Sequence, residues 1–126
     1  MVANYKSTVG RGERVEMGFL EALRNRCPHH RLILEALGEL YTRAGRFSDG
    51  LMVDLELTRV CPGEALVWYN LGCSYALLGR KDDAFRALSR AVELGYADSR
   101  WMNRDTDLES IRMDPRFKVL LKKIAA

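Results

Sequence analysis

Cysteine and histidine are the side chains of this sequence best suited to metal or nucleophilic chemistry. Cys27, His29 and His30 stand around Pro28 within four positions of one another, and thiolate with imidazole is a zinc-binding donor set. A closed structural zinc site takes four ligands, commonly as two spaced pairs, and no second pair follows. These side chains are therefore read as polar groups at a helix start, and no metal and no cofactor are expected. Cys73 has no histidine partner marked by spacing. The sequence holds no G-x-S-x-G nucleophile elbow, no phosphate-cradling glycine loop and no H-E-x-x-H. Gly10-Arg11-Gly12 is too short to serve as one. The expectation is a chain with no catalytic residues.

The elements that would carry these residues are bounded by composition. The chain has 126 residues, 48% hydrophobic and 29% charged, which suits one folded domain and excludes general disorder. A formal net charge of +3 is far below that of a dedicated nucleic-acid binder. Much of the basic excess lies in Arg112, Arg116, Lys118, Lys122 and Lys123, read as the solvated face of a terminal helix. No apolar run reaches membrane-spanning length. An odd count of three cysteines and the lack of a visible signal peptide predict a soluble, cytoplasmic protein. Neither nucleic acid nor membrane is expected as a partner.

Internal repetition decides the architecture. Leu34-x-x-Leu37-Gly38-x-x-Tyr41-x-x-x-Gly45-Arg46 recurs 34 residues later as Trp68-x-x-Leu71-Gly72-x-x-Tyr75-x-x-x-Gly79-Arg80. Cys27-Pro28 and Cys61-Pro62 are related by the same interval. Arg31–Ala44 reads as a first helix with an apolar stripe of Leu34, Leu37 and Tyr41. Gly45 and Gly79 end such helices in the left-handed conformation. Phe47–Val60 and Lys81–Leu94 are the second helices. Gly38 and Gly72, inside helices, imply close approach of the paired helix, since glycine there otherwise costs about 1 kcal/mol. Cys27 and Cys61, one repeat apart, sit at an expected ~8–10 Å, too far for a disulfide.

The flanks extend the pattern. Residues 1–12 read as a flexible leader and 13–126 as a single domain. Within it, 13–30 is an N-terminal capping helix bearing Val15, Phe19, Ala22 and Leu23 on one face. Residues 31–64 and 65–98 are the repeats, and 99–126 a degenerate repeat with a C-terminal capping helix. Asp105 and Thr106 fall where leucine and glycine should, and Thr106-x-x-Glu109 suggests a capping box. Asp114-Pro115 starts the last helix. Trp101, Met102 and Phe117 are expected to seal the core beneath it. Asp54 stands in the register of Leu88. The helix around Met52, Val53 and Leu55 is apolar all round, so it either packs in a shifted rotation or buries two faces.

The 34-residue period with its W-x-x-L-G-x-x-Y pattern resembles the tetratricopeptide repeat. That resemblance implies an all-α solenoid of helix–turn–helix units, two full repeats with flanking capping helices, whose first helices line a concave groove. It also implies a non-enzymatic interaction module, an adaptor or scaffold, that takes a peptide or helix of a protein partner. The alternative is a self-associating structural protein that dimerises through the apolar helix around Met52, Val53 and Leu55; the chain is accordingly expected as a monomer or a homodimer. Expected groove residues are Glu35, Glu39, Leu66, Tyr69, Asn70, Cys73, Arg100, Asn103 and Arg104, with Leu32, Thr42, Arg43 and Leu77 beside them. Asn70, Arg100 and Arg104 resemble part of the clamp with which one branch of the family holds the C-terminal carboxylates of heat-shock chaperones. Glu35 and Glu39 replace the lysine and first asparagine of that clamp and would repel a carboxylate. The expected groove is thus acidic beside the first repeat and basic beside the degenerate one, where Arg100 and Arg104 would meet a negative group.

Overall fold

Glycine sets where three of the helices stop. Gly45 and Gly79 have φ of 75° and Gly95 of 107°, a region that costs other residues strain. At each, the chain closes with the same pair of backbone hydrogen bonds. Arg46, Arg80 and Tyr96 donate to the carbonyls of Tyr41, Tyr75 and Ala91 at 2.8, 2.9 and 2.9 Å. Each glycine donates to the carbonyl one residue further on, that of Thr42, Ala76 and Val92. This double closure satisfies carbonyls that a helix end leaves unpaired. In two of the three closures the arginine after the glycine also lies over the tyrosine ring, Arg46 on Tyr41 at 4.8 Å and Arg80 on Tyr75 at 4.9 Å. The repeated Gly-Arg and Tyr of the sequence are thus parts of one stop device.

The structure, a computed structural model, describes residues 10–125. Its elements are α1 (Arg11–Arg26), α2 (Arg31–Arg43), α3 (Phe47–Val60), α4 (Ala65–Leu77), α5 (Lys81–Glu93), α6 (Ser99–Arg104), a 3-10 segment (Thr106–Ile111) and α7 (Pro115–Ala125). No strand occurs among the described residues. The elements pack against one another in chain order or nearly so: α2 against α1 and α3, α4 against α3, α5 and the 3-10 segment, α7 against α5 and α6. The chain is an all-α solenoid of helix–turn–helix units. One buried cluster, with Leu34, Leu37, Val53 and Leu57, joins α1, α2 and α3 and reaches Val67 at the start of α4. Another, with Ala84, Leu88, Met102, Ile111 and Phe117, joins α4 and α5 to the C-terminal elements.

Several expectations shift in detail. α1 begins at Arg11 rather than Glu13, so Arg11 and Gly12 of the expected leader are helical; residues 1–9 of it lie outside the described part. The two internal glycines differ. A Cβ on Gly72 would meet the Leu88 side chain at 2.7 Å, whereas one on Gly38 would meet Asp54 and Val53 at 3.5 and 3.6 Å, ordinary contact. α3 buries two faces: Val53 and Leu57 pack on the α2 side, while Leu51 packs with Leu71 of α4. Met52 is left 60% exposed and Leu55 half-buried. A self-association surface formed by Met52, Val53 and Leu55 together is therefore not present, because Val53 is completely enclosed.

The degenerate repeat is rebuilt around three aspartates. Asp98 caps α6, accepting from the Trp101 amide at 2.9 Å. Asp105 ends α6 and caps the 3-10 segment, accepting from the Asp107 amide at 3.0 Å, in place of the expected cap at Thr106. Asp114 caps α7, accepting from the Arg116 amide at 3.0 Å. Met102 and Phe117 seal the core at 0% and 1% exposure, but Trp101 stays half exposed.

Candidate concave binding site

Because the first helices of successive units lie side by side, their outer faces form the floor of a concave cavity of about 920 Å³. α2 supplies Arg31, Glu35, Glu39 and Arg43; α4 supplies Leu66, Asn70, Cys73 and Leu77; Trp101 and Asp107 close the far side. Of the expected groove residues, Glu35, Glu39, Leu66, Asn70 and Cys73 line this cavity, with Thr42, Arg43 and Leu77.

Arg100, Asn103 and Arg104 do not line it. The six-residue α6 takes its rotation from Met102, which is completely buried, and this leaves Trp101 on the cavity. The expected basic end of the groove is absent, and an indole and a carboxylate stand there instead. Tyr69 is also displaced from the expected set. It is 3% exposed, its ring stacked on Tyr96 at 4.3 Å, its hydroxyl donating to Asp105 Oδ2 at 2.6 Å. Leu32, though exposed, does not reach the cavity.

Ion pairs rim the α2 side. Arg31 holds Glu64 through both carboxylate oxygens and Glu35 at 2.7 Å. Arg43 pairs with Glu13 of α1 and lies 3.9 Å from Glu39. Both guanidinium groups of the rim are therefore occupied by carboxylates. The floor is different. Asp54 of α3, 7% exposed, accepts from the Ser74 hydroxyl at 2.5 Å. Burial raises its pKa to about 6, against the lowering effect of the serine bond. Asp107 is likewise raised to about 6, by burial first and the neighbouring Asp105 charge second.

Cys73, Asp105 and Asp107 bring their donor atoms within 4.8 Å of one another. The Cys73 thiol donates to Asp105 Oδ2 at 3.7 Å, alongside the Tyr69 hydroxyl. Burial pushes the thiol pKa well up, which holds its proton on and works against thiolate ligation. The group is a hydrogen-bonded anchor between α4 and the 3-10 segment. At the other end of the chain His29 Nδ1 lies 2.6 Å from Glu56 Oε1, an exposed pairing across the Cys-Pro turn.

Sequence reasoning passed over Asp54, Asp107 and Trp101 as groove or floor residues, and Asp105 as the buried acceptor for Tyr69 and Cys73. Two of these carried a signal, since Asp54 and Asp105 occupy register positions where the repeat places leucine. A carboxylate at an apolar position is either an error of register or a buried, bonded group. Here it is the latter.

Residues 65–97 match the tetratricopeptide repeat family. The chain is 30% identical over 89 residues to a chloroplastic protein of Arabidopsis thaliana, an alignment that covers 68% of this chain and 27% of that protein. The chain thus spans 27% of the length of the curated relative it matches. No helix among the described residues is long and apolar enough to cross a membrane.

Proposed function

Since the chain is a tetratricopeptide-repeat protein, a fold of protein–protein interaction, we propose that its concave face holds an extended or helical segment of a partner and that it works as an adaptor. The observation that carries this reading is the cavity of about 920 Å³ formed by α2, α4 and α6. Its composition suits a peptide. Leu66 and Trp101 are 60% and 50% exposed large apolar groups, of the kind that gain most from being covered. Asn70, in the same cavity, offers both a donor and an acceptor, which matches the backbone of an extended segment. The cavity's cysteine and serine are both buried donors, to Asp105 and to Asp54.

A random peptide display library tests this, panned in parallel on the protein and on a Leu66→Asp, Asn70→Ala double variant. Both positions are exposed, so the variant should keep the fold. Sequences enriched on the parent and lost on the variant are the expected outcome. Equal enrichment on both would move the binding surface away from the concave face.

A further inference from the structure

The groove's charge is lopsided in a way that specifies what it takes. On the α2 rim each arginine is already claimed, Arg31 by Glu35 and Glu64 and Arg43 by Glu13 and Glu39. On the floor and far side the balance fails. Asp54 has the neutral Ser74 hydroxyl as its bonded partner, and Asp107 faces the Asp105 carboxylate. Among the described residues no arginine, lysine or histidine pairs with either. Arg100 and Arg104, expected to make this end of the groove basic, do not line the cavity. The half-exposed Trp101 indole lines the same cavity as Asp107. Trp is the best aromatic face for a cation, and carboxylates lining the same cavity supply the opposite charge.

We infer that the groove selects a basic partner segment, one lysine or arginine of which enters between Trp101 and Asp107 with its charge toward Asp107 and Asp54. The inference rests on the groove reading above and adds the chemistry of the partner. A basic side chain brings its own compensation to carboxylates that the fold leaves uncompensated, so the gain is largest where Asp54 and Asp107 are most enclosed. An acidic segment would meet an excess of carboxylates from Glu35 to Asp107 and be excluded. The aliphatic stem of the same lysine or arginine covers Leu77 and the indole while its head reaches the floor.

The test uses the peptides enriched on the parent protein and lost on the Leu66→Asp, Asn70→Ala variant. They should share a lysine or arginine at one fixed position. A synthetic peptide of that sequence, and its analogue with norleucine at the basic position, are then titrated against the parent and against Asp107→Asn. The norleucine analogue should bind the parent about tenfold more weakly, and Asp107→Asn should weaken the basic peptide by a similar factor while changing the analogue less than about twofold. Rising salt should weaken the basic peptide selectively. Groove-dependent peptides that carry no basic residue, or equal affinity of the two peptides for the parent, would overturn the inference and leave the groove reading standing. Enrichment that survives in the Leu66→Asp, Asn70→Ala variant would instead remove the groove itself. The norleucine comparison on the parent decides the matter even if Asp107→Asn is poorly folded.

Discussion

Gly72 and Asp54 show how much a single residue controls here. At Gly72 the backbone of α4 comes so near Leu88 that a methyl group would sit 2.7 Å from its side chain, and Leu88 is fully buried with nowhere to move. Gly72→Ala should therefore destabilise the protein by about 1–3 kcal/mol in urea unfolding. Gly38→Ala, with ordinary contacts at 3.5 Å or more, should instead be neutral or gain up to about 1 kcal/mol from helix propensity. Equal losses at the two sites would show that α2 approaches α3 as closely as α4 approaches α5. Asp54 makes a second prediction. Its carboxyl titrates at about 6 in the fold against about 4 in an unfolded chain. Between those values the folded state holds a proton that the unfolded state has released, so stability falls as pH rises from about 4 to about 6, and the penalty is complete above that. Urea unfolding should thus show a protein more stable near pH 5 than at pH 7, by about 1–3 kcal/mol. Asp54→Asn, which keeps an acceptor for Ser74, should remove about half of that difference, the rest belonging to Asp107, raised in the same way; an unchanged slope would place its origin elsewhere.

Among the elements, the 3-10 segment depends most on one contact. Thr106–Ile111 is held to α4 by Tyr69 and Cys73 donating to the buried Asp105, and by the Ser110 hydroxyl donating to the Ala76 carbonyl at 2.9 Å. Tyr69→Phe deletes the shortest of these bonds and leaves a buried carboxylate with one donor fewer, at a cost of about 1–3 kcal/mol. Hydrogen exchange should rise in residues 106–111 before it rises in α5. If the loss were spread evenly over the chain, Asp105 would be acting on the whole core and not on this segment. The glycine stops give the comparison case. Each serves only its own helix end, so Gly79→Ala should cost about 1–2 kcal/mol from left-handed strain without altering exchange in the C-terminal segment.

For the whole molecule, stacking of units predicts a gradient of stability, since each helix pair is supported only by its neighbours. α1 is the least supported. Met17 is its one buried residue, and Val15 and Phe19 are 70% and 64% exposed. Phe19 lies 34 residues before Val53 and 68 before Ala87, both buried beneath the first helix of their own unit. α1 has no such first helix among the described residues. Native-state hydrogen exchange should accordingly find α1 opening at a lower free energy than α4 or α5. Equal protection throughout would mean that the chain folds as one cooperative block.

The helices, their stops and their order were legible in the sequence because they rest on local rules. A 34-residue register, apolar stripes at helical spacing and glycine after the last turn each act within a few residues of where they are written. Hence the ranges of α2, α3, α4 and α5 follow from the repeat almost residue for residue, and so does the helix started by Asp114 and Pro115. The site was legible only in part. Glu35, Glu39, Leu66 and Asn70 reach the cavity because their positions on a helix face decide it. Tyr69, Arg100, Asn103 and Arg104 do not, since those positions are settled by what packs behind them: Met102 turns α6, and Asp105 draws the Tyr69 hydroxyl inward. The loss of the groove's expected basic end, with an indole and a carboxylate where arginines were expected, has the same origin. Charge can be counted along a chain, but the side of a short helix that faces a cavity is chosen by the one large side chain its neighbours have room to bury.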